Sequence, residues 1–135
     1  MNKGEDIGMA DSNALLLACC ALYSCEKLGQ PECLLNLSHA IVYACEAEKS
    51  NSIYNAMQMA MDDAENVKDD TILNNLKNHP STNKDGTGGY KYPHNFGGYF
   101  DQQYLPDSLK DHIYYTPSNN GREKNMVRKK DRFKK

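Results

Sequence analysis

The sequence predicts a mainly α-helical domain: a helical bundle, then an irregular segment rich in Tyr, Gly and Pro, then a basic C-terminal helix. Three observations predict it. Apolar residues recur at helical spacing through the first half of the chain. Gly and Pro interrupt the second half, where no helical period is sustained. Basic residues gather at the end: residues 122–135 carry 8 basic and 2 acidic groups, against 8 basic and 16 acidic in residues 1–121. By composition the chain divides into a bundle over 1–78, a tyrosine-rich extended segment packed on the bundle over 79–118, and a basic helix or tail over 119–135.

From Ala14 to Cys25 every residue but Ser24 is apolar, which predicts a helix buried on most sides. Asp11 or Ser12 can cap its N-terminus, and Gly29 can end it in the left-handed conformation before Pro31 resets the chain. Two further helices in so short a chain do not cover every side of the first, so part of its surface is available to another domain or subunit. The second helix is expected over 31–47, with Leu34, Leu37, Ile41 and Ala44/Cys45 as its stripe and Leu35 and Val42 beside it. His39, on the flank of that stripe, reads as an ordinary histidine rather than a ligand. The third opens at the capping cluster Lys49-Ser50-Asn51-Ser52. It is expected to bury Ile53, Met57, Ala60/Met61 and Ala64, and to hold Asp62, Asp63 and Glu65 in solvent. Met57, Met59 and Met61 read as core filling, and the carboxylates at 62, 63, 69 and 70 as a solvated face. A short helix or turn over 71–78 stops before Pro80.

Length and composition exclude several classes. The 135 residues suit one domain. No apolar run approaches the ~18 residues of a membrane span. The start lacks a charged-then-apolar leader, which suits a reducing, intracellular setting. The five cysteines, Cys19, Cys20, Cys25, Cys33 and Cys45, are odd in number and include no Cys-x-x-Cys. They read as small core hydrophobes, not as a disulfide framework or a metal site. The loop over 81–89 is not a phosphate cradle, because Gly86 and Gly89 lack the G-x-x-x-x-G-K-[ST] frame that wraps a phosphate.

Tyr90, Tyr92, Phe96, Tyr99, Phe100 and Tyr104 place six aromatics in fifteen residues among Gly and Pro. That pattern reads as an extended, folded-back segment laying rings on another surface, a task suited to tyrosine's large apolar face and polar tip. Two other readings compete. The rings beside Lys91 and His94 would stack single-stranded bases. His94 with Asp101 would form an acid/base pair, but no nucleophile motif accompanies it. Residues 105–109 suggest one helical turn, and Ile113-Tyr114-Tyr115 a short extended stretch. Asn119 or Asn120 then caps a last basic helix over about 121–133, which reads as a solvated tail; attraction of its charge to phosphate is the alternative.

Several stretches resemble one family, in order and over nearly the whole chain. They are Glu5-Asp6-Ile7-Gly8-Met9-Ala10-Asp11, Lys49-Ser50-Asn51-Ser52-Ile53-Tyr54 and Gly89-Tyr90-Lys91-Tyr92-Pro93-His94. Asp101-Gln102-Gln103-Tyr104-Leu105-Pro106-Asp107 follows, and then Tyr114-Tyr115-Thr116-Pro117 with Gly121 and Glu123. Together they resemble the C-terminal part of the MgsA/RarA replication-associated recombination ATPases. This is a branch of the AAA+ clamp-loader clade with Werner-helicase-interacting ATPases as eukaryotic relatives. The sequence departs from the family pattern at Asn75-Leu76-Lys77-Asn78 and at Asn95.

The resemblance implies a helical domain of the clamp-loader C-terminal, post-AAA+ oligomerisation type, without chemistry of its own. Met1 would then open a piece of a longer protein, with part of the first helix lost. The parent would be a DNA-dependent ATPase of the cytoplasm and nucleoid, holding ATP and magnesium upstream. This chain would join subunits into a tetramer beside its own AAA+ module. Single-stranded DNA and single-strand-binding protein would be partners of the parent, with no membrane contact. The expected subunit-contact residues are Leu16, Leu17, Cys20, Tyr92, Phe96, Tyr99 and Tyr104. The alternative is a small nucleic-acid-binding module using Lys91, Arg128, Lys129, Lys130 and Arg132.

Overall fold

The computed structural model describes residues 6–77, 89–127 and 131. Among them the regular structure is entirely helical. The first helix, α1 (Asn13–Leu28), contains the predicted apolar run. Its start is held by Asp11, whose Oδ1 accepts the Asn13 N–H at 3.0 Å; the Ser12 side chain makes no capping bond. Gly29 ends the helix at φ 71° and ψ −173°. The positive φ suits glycine, but the extended ψ replaces the left-handed cap expected from sequence. The Gly29 N–H still reaches back to the Cys25 carbonyl at 3.1 Å.

The second helix, α2 (Leu34–Glu46), starts later than expected because residues 30–33 form a turn. α1 and α2 pack together as a hairpin. The residues buried on the two helices are Ala14 and Ala21 of α1 and Ala40 and Ala44 of α2. This corrects the predicted stripe: of its members only Ala44 is buried, while Leu34, Leu37, Ile41 and Cys45 are exposed. Alanines seat where backbones approach closely, so the larger side chains stand on the outward sides. The predicted burial of α1 on most sides is corrected in the same way, with Leu15, Leu16, Leu22 and Tyr23 exposed. The cysteines are corrected too. Cys33 is buried, Cys25 is half-buried, and Cys19, Cys20 and Cys45 are exposed.

The third helix, α3 (Ser52–Asn66), starts where the capping cluster places it, but buries only Ser52. Ile53, Met57, Ala60, Met61 and Ala64 are exposed, so the predicted core stripe and the core-filling role of Met57, Met59 and Met61 are corrected. That stripe meets no apolar partner among the described residues deep enough to bury it. A single 3-10 turn, Asn74–Leu76, stands within the short helix expected over 71–78; Asn78 and the loop over 81–88 lie outside the described residues.

By packing, the chain parts into two compact units, one of residues 1–61 with 114–126 and one of 62–113 with 127–135. In the first unit, Ile7 is fully buried and packs with Ala14 and Ala44, and Tyr43 and Ala47 lie against this cluster. The Tyr43 hydroxyl donates to Asp11 Oδ2 at 2.7 Å. The last basic helix predicted over 121–133 is a 3-10 turn, Gly121–Asn125, that ends in extended backbone at Met126. The turn is fixed from outside itself: Gly121 N–H donates to Glu48 Oε2 at 2.6 Å, and Asn120 Nδ2 donates to the Lys49 carbonyl at 2.7 Å. Beyond Val127 only Asp131 is described, in helical conformation.

Gly121 has φ +50°, and a Cβ there would lie 2.3 Å from the backbone oxygen of Ala10. Gly121→Ala is therefore expected to cost roughly 3 kcal/mol of stability, from a positive φ and a backbone clash together. Urea unfolding checks it; an unchanged midpoint would contradict the close approach of the two backbones.

In the second unit no hydrophobic residue is buried among the described residues. Side chains there bind backbone directly. Gln102 brackets Lys91, its Oε1 accepting the Lys91 N–H at 3.1 Å and its Nε2 donating to the Lys91 carbonyl at 2.9 Å. Asn75 Nδ2 donates to the Gln103 carbonyl at 3.0 Å. The tyrosine segment is irregular as predicted, with one 3-10 turn at Pro93–Phe96 closed by Gly97 in the left-handed conformation. Residues 107–111 form the turn expected near Pro106, with the Leu109 N–H donating to the Pro106 carbonyl at 2.9 Å.

Candidate functional site

Two features of the first unit stand out, one polar and one apolar. The polar one centres on Glu123, which is 1% exposed. Its Oε2 accepts from Ser50 Oγ at 2.5 Å, from the Ser118 N–H at 3.0 Å and from the Ser118 hydroxyl. Its Oε1 accepts from the Tyr115 hydroxyl at 2.6 Å and from the Ser52 hydroxyl. Ser50 Oγ in turn accepts the Ser52 N–H at 3.3 Å, so the carboxylate stands at the N-terminus of α3, where the helix dipole favours negative charge. The Ser50 N–H donates to the Asp6 carbonyl at 3.0 Å. A Cβ on Gly8 would lie 3.0 Å from the Ser50 carbonyl oxygen. The knot thus gathers three distant stretches: 6–11, 49–52 and 114–123.

Burial alone would push the Glu123 carboxyl up, but donation from Ser118, Ser50, Ser52 and Tyr115 outweighs it and holds the group down at about 2. Burial first, and then the bond to Glu123, pushes the Tyr115 phenol up to about 12. A carboxylate already accepting five hydrogen bonds, and closed to solvent, is built to hold chain segments together, not to exchange protons with a substrate.

The sign of the pH effect follows. The folded Glu123 sits near 2 against an ordinary 4.5. Its contribution, about 3 kcal/mol, is therefore complete above pH 4.5 and is lost as pH falls towards 2. Urea unfolding at neutral pH and at successively lower pH is expected to show stability falling through that window. In Glu123→Gln this part of the fall is expected to be absent.

The apolar feature is the outer side of the α1–α2 hairpin. Leu16 is 62% exposed and Leu35 81% exposed. Leu15, Leu22, Tyr23, Leu28, Ile41 and Val42 are exposed as well. Among the predicted contact residues Cys20 is exposed and Leu17 half-buried. The two helices carry few charges on this surface: Glu26, Lys27 and Glu46 are the acidic and basic residues of α1 and α2. Both helices therefore leave large apolar side chains in water.

The second unit carries its own exposed rings. Tyr92 is 55% exposed, Phe96 and Tyr104 are exposed, and Tyr99 is half-buried. Phe96 packs on Phe100 with ring centroids 4.5 Å apart, and Tyr92 on His94 at 5.0 Å. The Tyr99 hydroxyl donates to Asp101 Oδ1 at 3.2 Å. Two ring contacts thus lie within the segment, and Tyr92, Phe96 and Tyr104 remain exposed. Two carboxylates considered a solvated face are engaged: Asp63 Oδ2 lies 2.7 Å from His112 Nδ1, and Asp69 Oδ2 accepts from Ser108 Oγ at 2.6 Å. The Ser108 and Thr71 donors hold the Asp69 carboxyl down at about 2. Of the predicted nucleic-acid contacts, Lys91 is half-buried, its backbone bracketed by Gln102. Arg128, Lys129, Lys130 and Arg132 lie outside the described residues.

The Glu123 knot was not legible as a site. Ser50 and Ser52 read as helix caps, and Glu123 as one of two acids in a basic run. The resemblance alone singled out Gly121 and Glu123.

The fold and site define a small helical domain with a buried structural carboxylate and an uncovered apolar face. No group of three or more His, Cys, Asp or Glu among the described residues could hold a metal ion. No helix among them is long and apolar enough to cross a membrane. Residues 2–134 match the model of the family described as MgsA AAA+ ATPase C terminal, and the chain belongs to that family.

It is 38% identical over 127 residues to an uncharacterized protein of Thermotoga maritima, covering 90% of this chain and 20% of that one. It is 37% identical over 122 residues to replication-associated recombination protein A of Bacillus subtilis, covering 87% of this chain and 29% of that one. It is 32% identical over 118 residues to ATPase WRNIP1 of Dictyostelium discoideum, covering 82% of this chain and 13% of that one. The chain thus spans less than a third of the length of each of these relatives.

Proposed function

We propose that this chain joins the subunits of a longer AAA+ ATPase acting in replication-fork maintenance and recombination, and does no chemistry itself. The family supports the C-terminal placement, and the names of its relatives support the setting in replication and recombination. The observation that supports the subunit role is the large apolar side chains that α1 and α2 leave uncovered, with Leu35 the most open and Leu16 62% exposed. Each large apolar side chain moved out of water there contributes about 1.5–3 kcal/mol, and a closed symmetric assembly of copies buries them all. Leu17, Cys20, Tyr92, Phe96, Tyr99 and Tyr104 complete the proposed contacts. The parent would bind ATP and magnesium upstream of this domain and meet single-stranded DNA and single-strand-binding protein in the cytoplasm or nucleoid. A tetramer is the proposed assembly.

Co-expression of tagged and untagged copies of the chain tests this reading. The untagged copy is expected to co-purify and to stay bound at high salt, because an apolar contact is not screened. An untagged copy that washes through at every salt concentration would overturn it.

A further inference from the structure

We propose that the acid-rimmed apolar groove at the end of α3 seats this chain's own basic terminus, with Phe133 on the groove floor and Arg132 and Lys134 beside the carboxylates. The groove has a volume of about 520 Å³ and is lined by residues of the stretch 63–70 and by Pro106 and Leu109. Its floor is Val67, Pro106 and Leu109, each half-buried. Its rim carries the carboxylates of Asp63, Asp69 and Asp70 against one basic group, Lys68. The two walls are tied to each other: Ser108 Oγ donates to Asp69 Oδ2 at 2.6 Å, and His112 Nδ1 lies 2.7 Å from Asp63 Oδ2. The Thr71 N–H donates to Asp69 Oδ1 at 3.1 Å. These bonds shape the groove before anything enters it, which lowers the cost of binding.

Charge complementarity selects the occupant. An apolar floor inside a carboxylate rim fits a segment with one apolar side chain among basic ones, and it repels phosphate. Residues 128–130 and 132–135 lie outside the described residues. By sequence, 128–135 carry six basic side chains and one acidic one around a single apolar side chain, Phe133. Arg132 precedes it, and Lys134 and Lys135 follow. The stretches 62–77 and 89–113 carry the opposite balance, 8 acidic against 4 basic groups. Residues 127–135 also fall in the same compact unit as the groove. The phenylalanine ring supplies apolar area for the floor, while the long stems of its basic neighbours cover the edges and carry their charged heads to the rim. A terminus seated there offers its charge to carboxylates rather than to phosphate.

The inference stands apart from the subunit reading, because groove and terminus belong to one chain. The sequence contains no tryptophan, so Phe133→Trp places a single reporter in the full chain. Its emission is expected at a shorter wavelength than that of N-acetyltryptophanamide, with acrylamide quenching several times weaker. Leu109→Asp or Asp70→Lys in that background is expected to return both values towards the free reference while circular dichroism stays unchanged. Asp70 is exposed and outside the bonds that tie the walls, so Asp70→Lys alters the rim without disturbing the groove. Carbodiimide coupling of the unsubstituted chain is the second measurement. Asp69 or Asp70 is expected to link to Lys134 or Lys135 within one copy, as a mixture of ordinary and isotope-labelled chains shows. Absence of that link, links formed only between differently labelled copies, or an indole that shifts only when a single-stranded oligonucleotide is added would each overturn the proposal.

Discussion

Glu123→Ala is expected to lower the stability of the chain by about 3–5 kcal/mol, the scale of breaking a buried charged network. The cost arises on the donors' side. Ser50, Ser52, Ser118 and Tyr115 all lose their common acceptor, along with the Ser118 N–H. Each buried donor left without a partner costs about 1–3 kcal/mol, and part is recovered where water enters the space. The loss reaches beyond the turn that carries Glu123, because Ser50 also holds Asp6, and Gly121 lies against Ala10. Glu123→Gln tests charge separately from shape. It keeps one accepting oxygen but turns an amide donor towards hydroxyl donors, and is expected to cost about half as much. Urea unfolding followed by circular dichroism measures both. A Glu123→Ala variant within about 0.5 kcal/mol of the parent would contradict the knot.

Leu16→Asp combined with Leu35→Asp is expected to separate the copies while leaving each protomer folded. Both side chains already face water in the protomer, so its own stability should move by no more than about 0.5 kcal/mol. In the assembly each substitution places a charge in an apolar contact, and together they should weaken association by about a thousandfold or more. Sedimentation velocity reads the assembly and thermal unfolding reads the protomer. Unfolding of the separated protomer would place these leucines in its core, against the exposure seen. Unchanged association would remove the α1–α2 face from the contact.

The helices were legible because the local signals agree: apolar period, capping residues and a Gly-Gln-Pro break between α1 and α2. Their orientation was not. A helix that is apolar all round has no polar side to mark which face turns inward, so the choice between Leu34 and Ala40 as the buried side depends on how closely α1 approaches. Leucine is the larger hydrophobe, yet alanine fits between the two backbones. The stripe on α3 misled in the same way, since Ile53 and Met57 mark a side that wants cover without saying which surface supplies it.

The Glu123 knot depended on partners more than seventy residues away, Ser50 and Ser52, each with an adequate local role as a cap. The end of the chain read as a helix because its charges and Asn120 allow one. Tyr115, Ser118, Glu48 and Lys49 instead fix a short turn at 121–125 that ends in extended backbone at Met126. What the sequence did show about the site was a surplus, more apolar and aromatic surface than a chain of this length can enclose, and the exposed leucines and tyrosines are that surplus.

Multi-angle light scattering of the unsubstituted chain at high micromolar concentration tests the central claim most directly. A particle of several times 15.2 kDa, stable to high salt, is the predicted result. A single species of 15.2 kDa at every concentration would contradict it.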